Sequence, residues 1–172
     1  LPIIVRVYQQ ATKATTINDV YVATDDKRIA DTVTKHGGKV LFTDSNFICG
    51  TDRIASAVKG MDADYVVNIQ GDEPLIHPTM IDNVSRALLS DRSLQVATIV
   101  KKIENGEGMI DPHVVKAVVD KNNFAMYFSR AAIPFRAENS EIQSPVYYKH
   151  IGLYGYTKDF LFIYKNLPVS SL

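Results

Sequence analysis

A single cysteine, no excess charge of either sign and no long apolar run set the first limits on this 172-residue sequence. Cys49 has no partner for an internal disulfide, which fits a reducing compartment. Nineteen Lys and Arg residues are matched by nineteen Asp and Glu. The whole chain therefore carries no field that would draw it to nucleic acid or an anionic membrane, and any anion site must be local. No stretch reaches the ~20 apolar residues a membrane-spanning helix needs, and no signal peptide opens the chain. The expectation is a soluble, cytoplasmic protein without nucleic-acid or membrane partners. Also missing are a Walker-type glycine loop with Gly-Lys-Ser, a paired-cysteine zinc pattern and a Gly-x-Ser-x-Gly elbow. There is no internal repeat, heptad run or low-complexity segment.

What is present is apolar: nearly half of the residues, enough for one substantial core and too few for two comfortable domains. Pro2 is suited to a first helical turn, and Ile3, Ile4, Val7, Tyr8 and Ala11 then share one face at helical spacing. Residues 19–24 read as a strand that ends at Asp25 and Asp26. Arg28 to His36 reads as a helix stopped by Gly37-Gly38. A short strand, Val40 to Phe42, precedes a helix over Asp52 to Lys59. Tyr65 to Ile69 reads as a strand buried on both faces, and Met80, Ile81, Val84, Ala87 and Leu88 mark a further helix. This alternation predicts an α/β fold with a mostly parallel, mixed sheet covered by helices. Later the rhythm changes. Val114–Val119 and Phe124–Phe128, separated by Asp120-Lys121-Asn122-Asn123, read as a β-hairpin. Residues 136–145 read as an exposed loop, Tyr147–Tyr156 as an aromatic strand, and Phe160–Tyr164 as the start of a helix.

Three groups of residues could carry chemistry. The first is Gln70-Gly71-Asp72-Glu73-Pro74. In open α/β sheets ligands bind beyond the carboxyl ends of strands, and this loop leaves a strand end. Gly71 permits close backbone approach, and Asp72 is a hard oxygen ligand suited to a magnesium ion carrying nucleotide phosphates. The alternative is a solvated acidic turn. The second is Gly50-Thr51-Asp52-Arg53, where exposed N–H groups at a helix start attract phosphate and Arg53 adds charge. The competing reading is an ordinary cap from Thr51 or Asp52, with Arg53 in solvent. The third lies toward the C-terminus. Arg130, ending a strand in Tyr-Phe-Ser-Arg, has a planar fork that matches a carboxylate. His150, Gly152 and Tyr154 alternate onto one strand face, although a lone histidine there is more often structural. Asp25 and Asp26 could contact a ligand or simply form the turn. Cys49 reads as a small loop or core residue.

Five segments occur in an order that resembles the 3-deoxy-manno-octulosonate (KDO) cytidylyltransferases. They are Val-Ala-Thr-Asp-Asp (22–26), Gly-Thr-Asp-Arg (50–53), Val-Asn-Ile-Gln-Gly-Asp-Glu-Pro (67–74), Tyr-Phe-Ser-Arg-Ala-Ala-Ile-Pro (127–134) and His-Ile-Gly-Leu-Tyr-Gly-Tyr (150–156). The resemblance runs from residue 1 to residue 172. It implies one Rossmann-like nucleotidyltransferase domain, a homodimer, and a magnesium-dependent reaction of CTP with KDO that yields CMP-KDO and pyrophosphate for lipopolysaccharide synthesis. It places Gly50, Thr51, Arg53 and Gly71 at the nucleotide and gives Asp72 the Mg2+. Gln70, Arg130, His150 and Tyr154 face the sugar acid, with Asp72 and Arg130 as the catalytic pair. Family members begin with a strand and a basic, glycine-containing triphosphate loop, and continue into helices and a late aspartate that shares the metal. Both lie outside these 172 residues, so the isolated chain is expected to be nearly inactive. A related CMP-sugar synthetase of the sialic-acid type, an amino variant of KDO as substrate, and a non-catalytic nucleotide-binding or dimerisation module are the competing readings.

Overall fold

The computed structural model describes residues 1–47, 49–104, 106, 108–135 and 146–168. The chain divides into two compact units, one made of Leu1–Ala97 with Leu153–Leu172, the other of Thr98–Gly152.

The first unit opens with α1 (Ile3–Ala11), for which Pro2 stands at the cap position with extended backbone. Val5, Val7 and Ala11 are its buried residues, whereas Ile3 is exposed, so the inward face is rotated from the one the spacing predicts. β1 (Val22–Thr24) leads to α2 (Lys27–Lys35), capped by Asp26, whose carboxylate accepts from the Arg28 amide at 2.8 Å. Hydrogen bonding from the Arg28 side chain, then from its amide, holds the Asp26 carboxyl down at about 2. Gly37, at φ 77°, then turns the chain into β2 (Val40–Phe42), a left-handed conformation that costs glycine least. β1 and β2 pair in parallel, Val22 with Val40 through Thr24 with Phe42.

α3 (Gly50–Ala57) and β3 (Tyr65–Asn68) follow, then α4 (Pro78–Ser90), which has proline in its first turn and the His77 ring accepting from the Thr79 amide. α4 sends Ile81, Val84 and Leu88 into the core. Its buried Asp82 accepts hydrogen bonds from the amides and hydroxyls of Thr15 and Thr16. Burial works against the ionised form of Asp82, but these bonds outweigh it and leave the carboxyl below its usual range. The segment after α1 is thereby tied to α4. A second core cluster gathers Ala55, Val58, Tyr156 and Leu161.

β4 (Val96–Lys102), β5 (Lys116–Val119), β6 (Ala125–Ser129) and β7 (Tyr148–Thr157) complete the strands, and α5 (Lys158–Lys165), capped by the Thr157 hydroxyl, follows. In the first unit β3 pairs antiparallel with the second half of β7, Tyr65 with Thr157 through Asn68 with Tyr154. In the second unit β5 pairs antiparallel with β6 and with the start of β7. The hairpin turn falls at Asp120–Asn123 as expected. Asp120 Oδ1 accepts from the Asn122 and Phe124 amides, and Asn123 takes φ 65°.

Two expectations need correction. A mostly parallel sheet is not what the described strands form: β1–β2 is parallel, but β3–β7, β5–β6 and β5–β7 are antiparallel. The cause is topological, since β7, the last strand in the sequence, is the antiparallel neighbour of β3 in the first unit and of β5 in the second. β3 is also not buried on both faces; Tyr65, Val66 and Val67 are half-buried, and only Asn68 is enclosed. The exposed loop expected over 136–145 lies outside the described residues. No helix among the described residues is long and apolar enough to cross a membrane.

Candidate active site

β3 delivers the Gln70–Pro74 loop. Asn68, its last residue, is buried, and beyond it Gln70, Gly71 and Asp72 are all exposed. A turn bond from the Glu73 amide to the Gln70 carbonyl and a second from Ile76 to Glu73 shape the loop, and buried Ile76 anchors its far end. A Cβ on Gly71 would stand 3.2 Å from the Ile4 side chain, so the absence of a side chain there also serves the approach of α1. Asp72 forms no ion pair among the described residues. Nor do any three described His, Cys, Asp or Glu side chains gather into a metal-binding group.

The start of α3 lies two residues earlier than its periodicity indicates. Cys49 occupies the cap position without a side-chain hydrogen bond, so neither Thr51 nor Asp52 acts as the cap. The amides of the first turn are left without intrahelical acceptors, the arrangement that favours an anion. Arg53 is neither free in solvent nor wholly available to a ligand. Its Nη1 donates to Asp25 Oδ1 at 2.7 Å, to Thr43 Oγ1 at 2.8 Å and to the Asp44 carbonyl at 3.4 Å. The guanidinium also lies 5.7 Å from the centre of the Phe47 ring. All its hydrogen bonds among the described residues leave from that one nitrogen, and Nε and Nη2 retain their donors.

Thr51 and Tyr154 line one pocket of about 410 Å³ together with Val96, Tyr156, Phe160, Tyr164 and Leu167. The Tyr154 and Tyr156 rings are stacked, with centroids 6.0 Å apart and planes 19° from parallel. Burial pushes the Tyr156 phenol up to about 12 while the Thr51 hydroxyl works against that rise. Burial raises Tyr154 as well. Both rings therefore remain neutral donors at pH 7.

Arg130 and His150 belong to the second unit. Arg130, one residue past β6, is exposed; its Nη1 donates to the Pro112 carbonyl at 2.9 Å, and it forms no ion pair among the described residues. This is an anchored cation with donors to spare. His150 is half-buried, with Nε2 2.9 Å from the Thr98 hydroxyl and its ring edge-on to Phe128 at 4.8 Å. Burial lowers its pKa below the ordinary histidine value.

Three residues beside these escaped the sequence reading or were left undecided by it. Asp25 is the carboxylate that receives Arg53, and Thr43 shares that guanidinium. No local pattern pairs positions so far apart. Lys116, enclosed at the start of β5, is of a residue type seldom buried, and nothing in its local sequence marks it out.

A family model described as Cytidylyltransferase matches residues 1–172. The 3-deoxy-manno-octulosonate cytidylyltransferase of Chloroherpeton thalassium is 44% identical over 173 residues, spanning 99% of this chain and 70% of that protein. The protein of the same name from Desulfosudis oleivorans is 44% identical, spanning 98% of this chain and 68% of its own length. A solved structure of CMP:2-keto-3-deoxy-manno-octonic acid synthetase complexed with CTP superimposes with a TM-score of 0.91 at 38% identity, covering 99% of this chain and 69% of that one. Ordered motifs, matching fold and identity at this level over nearly the whole chain lead to one statement: this chain belongs to the cytidylyltransferase family, among the 3-deoxy-manno-octulosonate cytidylyltransferases.

Proposed function

We propose that the protein transfers the cytidylyl group of CTP to KDO, releasing pyrophosphate and forming CMP-KDO for lipopolysaccharide synthesis in the cytoplasm. The observation that carries this reading is the 44% identity to a KDO cytidylyltransferase across 99% of the chain.

The anomeric hydroxyl of the sugar acid attacks the α-phosphorus of CTP, and the bond to the pyrophosphate oxygen breaks. Such a reaction asks the protein to align nucleophile and leaving group and to offset phosphate charge, not to supply a covalent nucleophile. In this reading the amides of Gly50 and Thr51 and the unused donors of Arg53 meet the nucleotide, with Gly71 allowing close backbone approach. The anchored guanidinium of Arg130 holds the sugar carboxylate, and Gln70, neutral His150 and Tyr154 supply hydrogen bonds to its hydroxyls. Asp72 would hold Mg2+, which when bound offsets the triphosphate charge. An exposed carboxylate outside any ion pair among the described residues fits that ion, because magnesium commonly takes one or two carboxylates and completes its shell with water and substrate phosphates. The partner we propose is a second copy of the chain. β6, a strand at the end of its sheet, supports it by exposing Met126 and Tyr127, with Phe124 exposed just before it.

Pyrophosphate release by the full-length protein with CTP and magnesium tests the assignment. KDO should support turnover and N-acetylneuraminate should not. Turnover with N-acetylneuraminate alone would move the protein to the sialic-acid type, and CTP binding without turnover on either acid would leave a nucleotide-binding module.

A further inference from the structure

Lys116 is fully buried, and among the described residues no carboxylate neutralises it. Its Nζ donates to the carbonyls of Asp111 at 2.8 Å, Val114 at 2.7 Å and Arg130 at 2.5 Å. An ammonium has three N–H donors, and each is spent on a backbone oxygen. Enclosing a cation in this way is costly, and an apolar side chain of similar volume would fill the site with less desolvation. An apolar side chain could not tie the 111–114 loop to the end of β6.

That tie bears on Arg130 twice. Lys116 holds the main-chain carbonyl of Arg130, and it also holds both ends of the loop whose Pro112 carbonyl receives the Arg130 guanidinium. The loop is itself closed by Asp111, whose Oδ1 accepts from the His113 amide at 2.8 Å and whose carbonyl accepts from the Val114 amide at 3.2 Å. The two ends of the Arg130 residue, backbone and guanidinium, are thus referred to one buried ammonium.

We propose that Lys116 is a positioning residue for Arg130: by clamping the Asp111–Val114 loop to the end of β6, it aims the exposed guanidinium at the carboxylate of the acidic substrate. This rests on Arg130 being the carboxylate partner, so the test must separate the two ideas. In the full-length enzyme, kcat and KM for KDO and CTP are measured for wild type, K116M, R130A and the double variant. K116M keeps the length of the side chain and removes its donors. The expected result is a rise of about tenfold or more in KM for KDO with KM for CTP within about twofold, since a misplaced binding group loses alignment while the other substrate is unaffected. In the R130A background K116M should add less than about twofold, the non-additivity of residues acting through one another. K116Q, which keeps two donors, should recover part of the loss; should K116M not fold, K116Q takes its place in the cycle.

An unchanged KM for KDO in R130A overturns the carboxylate reading and this proposal with it. A large effect in R130A, with the Lys116 variants silent, additive, or raising both KM values together, overturns the positioning role alone.

Discussion

His150 shows how burial tunes a single residue here. Its ring is packed against Phe128 and bonded to Thr98, and partial removal from water disfavours the imidazolium. The folded ring takes a proton less readily than the unfolded chain, so as pH falls through about 6.5 the unfolded state protonates first and stability declines. Above that value both states are neutral, and the contribution is fully present. Ring resonances followed by NMR should therefore titrate below the ordinary histidine value, and H150Q should flatten the loss of stability between pH 7 and pH 5. A midpoint at or above the ordinary value would contradict the assignment of a neutral hydrogen-bonding His150. Arg53 makes the complementary point. Its type and its place at a helix start were readable, but its engagement with Asp25 and Thr43 depends on where β1 and β2 end in space.

At the scale of elements, α4 lies against β7 because position 155 has no side chain. A Cβ there would overlap the Val84 side chain and reach 3.0 Å from Leu88 Cδ1, both of them core residues. Gly155→Ala should therefore cost about 1–3 kcal/mol as the helix is pushed off the strand. Gly60→Ala, where a Cβ would meet nothing within 4 Å, should change stability by no more than about 0.5 kcal/mol. Urea midpoints compare the two, and equal midpoints would remove the close-packing explanation. The helices and the hairpin were legible because their signals are local: apolar spacing, the glycines after α2, the Asp120–Asn123 turn. β4 went unread. Its Val96–Lys102 run is rich in β-branched residues but mixes half-buried and exposed positions, with no clean alternation to separate it from a loop.

In the whole molecule, the class of fold followed from alternating strands and helices, whereas strand direction did not. Periodicity carries no information on which strands become neighbours, and β7, late in the chain, pairs with both β3 and β5. The candidate site was legible mainly through five ordered motifs. Spacing alone left Asp72, the Gly50–Arg53 segment and His150 weighed against structural roles, and the structure divides the candidate residues between two units, Arg130 and His150 in one and Gln70, Asp72 and Tyr154 in the other. In the function proposed above they serve one reaction, the joining of a nucleotide to a sugar acid, and that proposal gives the central role to the exposed carboxylate at the exit of β3. Turnover of CTP and KDO as a function of magnesium concentration, in the full-length wild-type enzyme and in Asp72→Asn, measures this directly. Metal-borne charge stabilisation is worth several kcal/mol, so D72N should lose on the order of a hundredfold or more in kcat at saturating KDO, while its fold is retained. Wild-type turnover in D72N with an unaltered magnesium dependence would contradict the account.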